Sequence, residues 1–195
     1  MNTPVTGVIL AGGMGRRMGG VDKGLLEWRG RPIIEWIIEA LRPQVAGLLI
    51  NANRNTERYA GYGYPVVSDS LPNHQGPLAG FAAVLAAAPT EWVATVPCDG
   101  PRLPGDLVAR LGDGLRREQA EIAVAHDGER LQPVYALMPH RLLPDLEDFL
   151  AGGERKIDRW YAHHRMAAVD FSDCASCFAN LNTPRDRERL EGRGR

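Results

Sequence analysis

Short apolar runs alternate along this chain with stretches of helical period. Residues 5–10 form a near-continuous apolar run, the mark of a strand buried on both faces. A Gly-rich loop follows at 11–20, and residues 25–28 predict a short strand before a turn at Gly30. Residues 32–41 predict a helix, since Ile33, Ile37 and Leu41 share one face with Ile34 and Ile38. Strands are expected at 47–51 and 65–68. Residues 77–88 predict a helix with Pro77 in its first turn and Pro89 as its stop. A strand at 92–96 precedes a helix at 104–115 that aligns Leu107, Leu111 and Leu115. Residues 122–126 and 131–136 read as strands joined by a turn at Asp127-Gly128. A helix at 142–151, a strand at 166–170 and a final helix at 184–190 complete the series. This alternation predicts an α/β fold, Rossmann-like, with a mainly parallel (mixed) sheet and helices on both faces.

In open sheets of this kind ligands bind beyond the carboxyl ends of the strands. Four predicted strands end in chemistry-bearing residues there. The first runs into Gly12, Gly13 and the loop carrying Arg16, Arg17 and Lys23. The second ends at Asn51 and Asn53, the third at Asp69, and the fourth at Cys98-Asp99. Glycines let backbone N–H groups close on an anion, and the cations suit phosphate. The loop does not fit Gly-x-Gly-x-x-Gly, because Met18 stands at the last glycine position. Nor is it a Walker A loop, because Lys23 follows Asp22 and precedes Gly24. Support for a dehydrogenase and for a P-loop kinase falls accordingly. Asp99 reads either as a turn cap or as a hard-oxygen ligand for Mg²⁺. Asp69 reads as a turn cap or as an acceptor for two donors at once, such as the ring N–H and amino group of guanine. Gly76-Pro77-Leu78-Ala79-Gly80 opens a helix at the same edge, where small residues admit a nucleotide or tight sheet packing.

Composition narrows the class. Apolar residues make up 44% and charged residues 24% of 195 residues, which excludes a disordered chain and a collagen-like repeat. A net charge of −1 argues against a nucleic-acid binder. The longest stretch free of charge and strong polarity, 76–89, falls short of the roughly 20 residues of a membrane span. The N-terminus has no basic segment followed by an apolar run, so no secretory signal and a cytoplasmic setting are expected. Three cysteines argue against a disulfide framework. Cys174-Ala175-Ser176-Cys177 lacks the second ligand pair of a structural zinc site. Adjacent His163 and His164 read as surface residues, and the four tryptophans as packing. Lys23 and Lys156 are the only lysines among 23 basic residues, which singles out Lys23 within the loop.

Leu10-Ala11-Gly12-Gly13, Arg17-Met18-Gly19, Asp22-Lys23, Asp69-Ser70-Leu71, Gly76-Pro77-Leu78-Ala79-Gly80 and Pro97-Cys98-Asp99 follow one another in a familiar order. The set resembles the GT-A-like nucleotidyltransferases of the nucleotide-diphospho-sugar transferase type. Within them it is most similar to the molybdenum cofactor guanylyltransferase family, whose ending Asn180-Leu181-Asn182-Thr183-Pro184 also resembles. The resemblance runs from about Val5 to Leu190. It implies a single nucleotidyltransferase domain over 1–195, with a nucleotide part near 5–105 and an acceptor part near 106–190. It implies transfer of GMP from GTP to Mo-molybdopterin with release of pyrophosphate. Leu10, Ala11, Gly12, Gly13 and Lys23 would bind GTP, Asn51 and Asp69 its base and sugar, with Gly76 and Gly80 alongside. Arg17 and Lys23 would face the triphosphate, and Asp99 would hold Mg²⁺ and contact the nucleotide. Asn180 and Asn182 would serve the pterin side. Molybdenum-insertion proteins and molybdoenzyme apoproteins are implied as partners. Gln132-Pro133-Val134 departs from the His-Pro-Thr type of segment expected there. Rival readings are a cytidylyltransferase or sugar-phosphate nucleotidyltransferase of the same superfamily, or a non-catalytic nucleotide-binding module.

Overall fold

Alternation along the first strand sets the layers. In β1 (Val5–Leu10), Val5 and Ile9 pack into one apolar cluster while Val8 packs into the other. The sheet is therefore covered on both sides, as its apolar strands require. The structure, a computed structural model, describes residues 3–13, 21–69, 76–181 and 186. After a 3-10 turn at Lys23–Leu25 come the two-residue strands β2 (Glu27–Trp28) and β3 (Arg31–Pro32). They form a separate antiparallel hairpin, turned by Arg29 at φ 50° and Gly30 at φ 74°. Helix α1 (Ile33–Leu41) buries Ile33, Ile34, Ile37 and Leu41. Then follow β4 (Gly47–Asn51), α2 (Thr56–Ala60), β5 (Val66–Val67), α3 (Pro77–Ala87) and β6 (Trp92–Pro97). Helix α4 (Leu107–Glu118) starts three residues later than the sequence predicts, because Pro104 sits in the preceding turn. The series ends with β7 (Ile122–His126), β8 (Leu131–Pro139), α5 (Leu143–Ala151), α6 (Ile157–Tyr161) and β9 (Met166–Asp170).

Among the described residues seven strands form one sheet in the order β5-β4-β1-β6-β8-β7-β9. β8 runs against its two neighbours, and the other pairings are parallel. Helices α1 and α4 and the segment Ser172–Phe178 supply Ile34, Leu111 and Phe178 to one face. Helices α3, α5 and α6 supply Phe81, Leu146 and Trp160 to the other.

Cys174 and Cys177 are joined as one local disulfide within Ser172–Phe178. Two expectations need correction. His164 is no surface residue: its side chain is 8% exposed, edge-on to Trp160, with Nε2 2.9 Å from Asp145. Residues 25–28 are split, since Leu25 closes the 3-10 turn and only Glu27–Trp28 pair as strand. The predicted helix at 184–190 lies outside the described residues apart from Asp186.

Candidate functional site

β5, β4, β1 and β6 are parallel neighbours, so their carboxyl ends meet at one edge. Pairing continues past the strand ends. The Ala11 N–H donates to Asn51 O at 2.7 Å, and the Cys98 N–H donates to Leu10 O at 3.1 Å. Leu10 and Ala11 are thus fixed from both sides before the chain leaves the sheet at Gly12 and Gly13. Asn51, 2% exposed, donates through Nδ2 to Asp69 Oδ1 at 2.8 Å and to Val67 O at 3.1 Å. Asn53 donates through Nδ2 to Asp69 Oδ2 at 2.8 Å and to Gly12 O at 3.1 Å. Its Oδ1 accepts the Asp69 N–H at 2.8 Å. Each Asp69 oxygen therefore receives one amide and keeps a lone pair for a ligand.

Two glycines follow from the Asn51 side chain. A Cβ on Gly12 or on Gly80 would stand 2.8 Å from Asn51 Oδ1, too close for any real contact. Gly80 thus serves the seating of Asn51 between α3 and the loop backbone. Gly13 and Gly76 are different. Both are exposed, with nothing within 4 Å of an added Cβ, and Gly76 has φ 78° ahead of Pro77.

On the other side of β1, Lys23 Nζ donates to Asp99 Oδ2 at 3.0 Å, across 76 residues of sequence. The aspartate side chain is 12% exposed and the lysine 29%. Asp99 is held from behind, since its carbonyl accepts the Leu181 N–H at 2.8 Å. Its Oδ1 is buried, as are the Tyr135 hydroxyl and Asn180 Oδ1, and none of the three hydrogen-bonds to a described residue. The Tyr135 hydroxyl and Asn180 Oδ1 border the space over Gly100, so Asn180 lies beside the residue next to Asp99. Burial pushes the Cys98 thiol up to about 12, with Asp99 adding to the shift. Burial also raises the Tyr135 hydroxyl, again helped by Asp99. Neither group ionises near neutral pH, so the anionic charge of this corner sits on carboxylates.

Lys23 is aimed by its neighbour. Asp22 accepts from the Tyr59 hydroxyl at 2.5 Å and from Asn55 Nδ2 at 2.9 Å. Gly24 has no room for a Cβ, which would meet the Tyr59 hydroxyl at 2.7 Å. Arg54 donates to Gly13 O at 3.2 Å. Arg54, Asn55 and Tyr59 escape sequence reasoning, and Asn53 is read there only as a polar residue at a strand end, without a role; the one signal is their place after a strand that points at the site. Arg17 and Asn182 lie outside the described residues.

Among the described residues no group of three or more His, Cys, Asp or Glu side chains could hold a metal ion. Asp99 suits the other mode, in which Mg²⁺ takes one or two carboxylates and draws further ligands from phosphate and water. At the start of β8 Gln132 is 7% exposed and donates to Asp127 at 2.6 Å. The Pro133 and Val134 carbonyls accept from Tyr161 and Thr95, both at 2.7 Å. Here the Gln-Pro-Val variant braces the sheet edge.

The family described as the MobA-like NTP transferase domain matches residues 7–168. A molybdenum cofactor guanylyltransferase of Shewanella sediminis (strain HAW-EB3) is 48% identical over 190 residues, 97% of each chain. One of Shewanella sp. (strain MR-4) is 50% identical over 97% of this chain and 96% of its own. Among solved structures, molybdopterin-guanine dinucleotide biosynthesis protein A of Archaeoglobus fulgidus superposes with a TM-score of 0.78 at 22% identity, covering 96% of this chain and 97% of its own. The 4-diphosphocytidyl-2C-methyl-D-erythritol synthase of Anaerococcus prevotii reaches 0.76 at 12% identity, over 98% and 96%. At these identities the two structures speak for the fold, and the two Shewanella sequences carry the family.

Proposed function

Because this chain belongs to the MobA-like NTP transferase family, we propose that it is a molybdenum cofactor guanylyltransferase. It transfers GMP from GTP to Mo-molybdopterin: the terminal phosphate of the pterin attacks the α-phosphorus, the bond to the β-phosphate oxygen breaks, and pyrophosphate leaves. The observation that carries this reading is the Lys23–Asp99 pair at 3.0 Å, set at the strand edge beside the Leu10–Ala11 backbone. It joins one cation for phosphate to one carboxylate for a metal.

Such a transfer depends on positioning and charge, and the attacking phosphate is already ionised. Leu10, Ala11 and Gly12 offer backbone to the nucleotide, and Gly13 and Gly76 offer open approach. Asp69, steadied by Asn51, accepts two hydrogen bonds from guanine. Lys23 and Arg17 offset the charge growing on pyrophosphate. Asp99 would hold Mg²⁺, which supplies charge neutralisation on phosphate oxygens. Asn180 and Asn182 would serve the acceptor side. The nucleotide part spans about 5–105 and the acceptor part about 106–190. We place the reaction in the cytoplasm, with molybdenum-insertion proteins before it and molybdoenzyme apoproteins after it. Among the described residues no helix is long and apolar enough to cross a membrane.

The test is thermal unfolding with GTP, CTP, ATP, UTP and dTTP, each with and without Mg²⁺, followed by pyrophosphate release on adding Mo-molybdopterin. A true ligand at 100 times its Kd stabilises by about 2.7 kcal/mol. For a chain of this size that is a shift of roughly 5–10 °C. GTP alone is expected to give it, more strongly with Mg²⁺. A shift with CTP would move the assignment to a cytidylyltransferase. Binding without pyrophosphate release would leave a nucleotide-binding module.

A further inference from the structure

Asp69 lies two residues beyond a two-residue edge strand, so the sheet itself gives it little support. A carboxylate also turns readily about its last torsion, which is broad and two-fold. Yet selectivity for a base with two adjacent donors needs both oxygens held in one plane and one direction. Asn51 grips one oxygen. The grip on the other oxygen comes from Asn53.

Both ends of the Asn53 amide are engaged. Its Nδ2 bridges Asp69 Oδ2 and Gly12 O, at 2.8 and 3.1 Å. Its Oδ1 takes the Asp69 N–H at 2.8 Å. Reversing the amide would set its oxygen against two acceptors, so this orientation is the one the site permits. One side chain therefore sets both the direction of the Asp69 carboxylate and its spacing from the Gly12 backbone. Two amides on opposite oxygens leave one lone pair on each, side by side.

We propose that Asn53 is a positioning residue for Asp69 and, through it, the determinant that makes the enzyme require both the ring N–H and the 2-amino group of the base. This rests on the assignment of Asp69 to the base. Asn53 acts through Asp69, since its side-chain hydrogen bonds go to Asp69 and to Gly12 O. Its loss frees Asp69 to turn, so one of the two acceptors leaves its place while the phosphate side, at Lys23 and Asp99, keeps its geometry.

The experiment compares GTP with inosine triphosphate, which keeps the ring N–H and lacks the 2-amino group. Affinities are measured by calorimetry, without acceptor, for wild type, Asn53→Ala and Asn53→Ser, with Tm recorded for each. In the wild type GTP should bind at least about tenfold more tightly than inosine triphosphate, the scale of one lost hydrogen bond to a charged group. In Asn53→Ala the GTP affinity should fall about tenfold and the inosine nucleotide's far less, so that the ratio collapses towards one. Asn53→Ser, which keeps one short donor, provides the same comparison should the alanine variant not fold. A variant that binds both nucleotides more weakly by the same factor would show a merely structural role and overturn the proposal. So would a wild type that binds the two nucleotides equally. A wild type that binds neither would overturn the guanylyl reading itself, a result distinct from a preserved ratio in the variants.

Discussion

At the residue scale the site is a set of short side chains given their direction by other side chains. Lys23 illustrates what the choice of residue means. An ammonium is a compact point charge, whereas guanidinium is a wide planar fork. With Asp99 Oδ2 at 3.0 Å and Gly24 pressed under the Tyr59 hydroxyl, the space suits the smaller head. Lys23→Arg is expected to lose at least about 90% of turnover while the Tm holds within about 2 °C; near wild-type rates would show that charge alone suffices. Asp99→Ala should abolish turnover together with the Mg²⁺-dependent part of nucleotide stabilisation, read from the same melting curves. Lys23, Asp69 and Asp99 are legible in the sequence because each ends or follows a strand and carries a rare or charged group. Tyr59 is not. Asn53 is legible as a polar residue past a strand end, but its role is not, since only the β4–β5 register, which pairs Asn51 with Val67, brings it opposite Asp69. The glycines are legible as a motif, but the reason for Gly80 of α3 is the Asn51 side chain, which comes from β4.

At the scale of elements, the strands at 5–10, 47–51, 122–126 and 166–170 coincide with their sequence readings; the first three are buried and write their apolar runs directly, while 166–170 is an edge strand with Ala168 and Asp170 exposed. Helices α2 and α6 escape because five residues hold little more than one turn, too short for a helical period to show. The segment Ser172–Phe178 escapes for another reason: it is fixed by tertiary contacts. Arg110 of α4 donates to both Asp173 oxygens, at 2.8 and 2.9 Å, and to the Asp170 carbonyl, and it lies 3.9 Å over the Phe171 ring. The Arg110 guanidinium holds the Asp173 carboxyl below the usual range, and the Ser172 N–H and hydroxyl do the same for Asp170. Depressed folded-state values mean stability that is complete above the ordinary carboxylate range and lost as pH falls through the lowered ones. The Tm difference between wild type and Arg110→Ala should therefore be largest near neutral pH and shrink below about pH 4. A difference constant down to about pH 2 would instead assign the whole contribution to packing on Phe171.

At the scale of the molecule, the mixed sheet is what the alternation of strand and helix predicts, and the single reversed strand is set by the turn at Asp127-Gly128. Both apolar clusters join the first half of the chain to the second, with Leu181 and Val5 in the same one and Val8 and Trp160 in the other. The halves should therefore unfold together. Cys98 reports on this. Its thiol, on a half-buried residue and raised to about 12, should react only slowly with a disulfide reagent at neutral pH while the chain is folded. Without reductant the native protein should then titrate no fast thiol and the unfolded protein one, rising to the full three cysteines after reduction. Fast native labelling would reveal a local opening at the edge that carries Asp99. The position of β1 has a consequence for how the chain is made. β1 is synthesised first but is flanked by β4 on one side and β6 on the other, the latter pairing Val5 with Trp92. While the chain leaves the ribosome, one flank of β1 stays without a neighbour until nearly half the protein has appeared. Pairings so distant in sequence form slowly and leave an apolar edge exposed in the meantime. The nucleotide-binding end of the enzyme is thus begun early in translation and finished late, so conditions that slow elongation should raise its need for chaperones more than any change at the carboxyl terminus would.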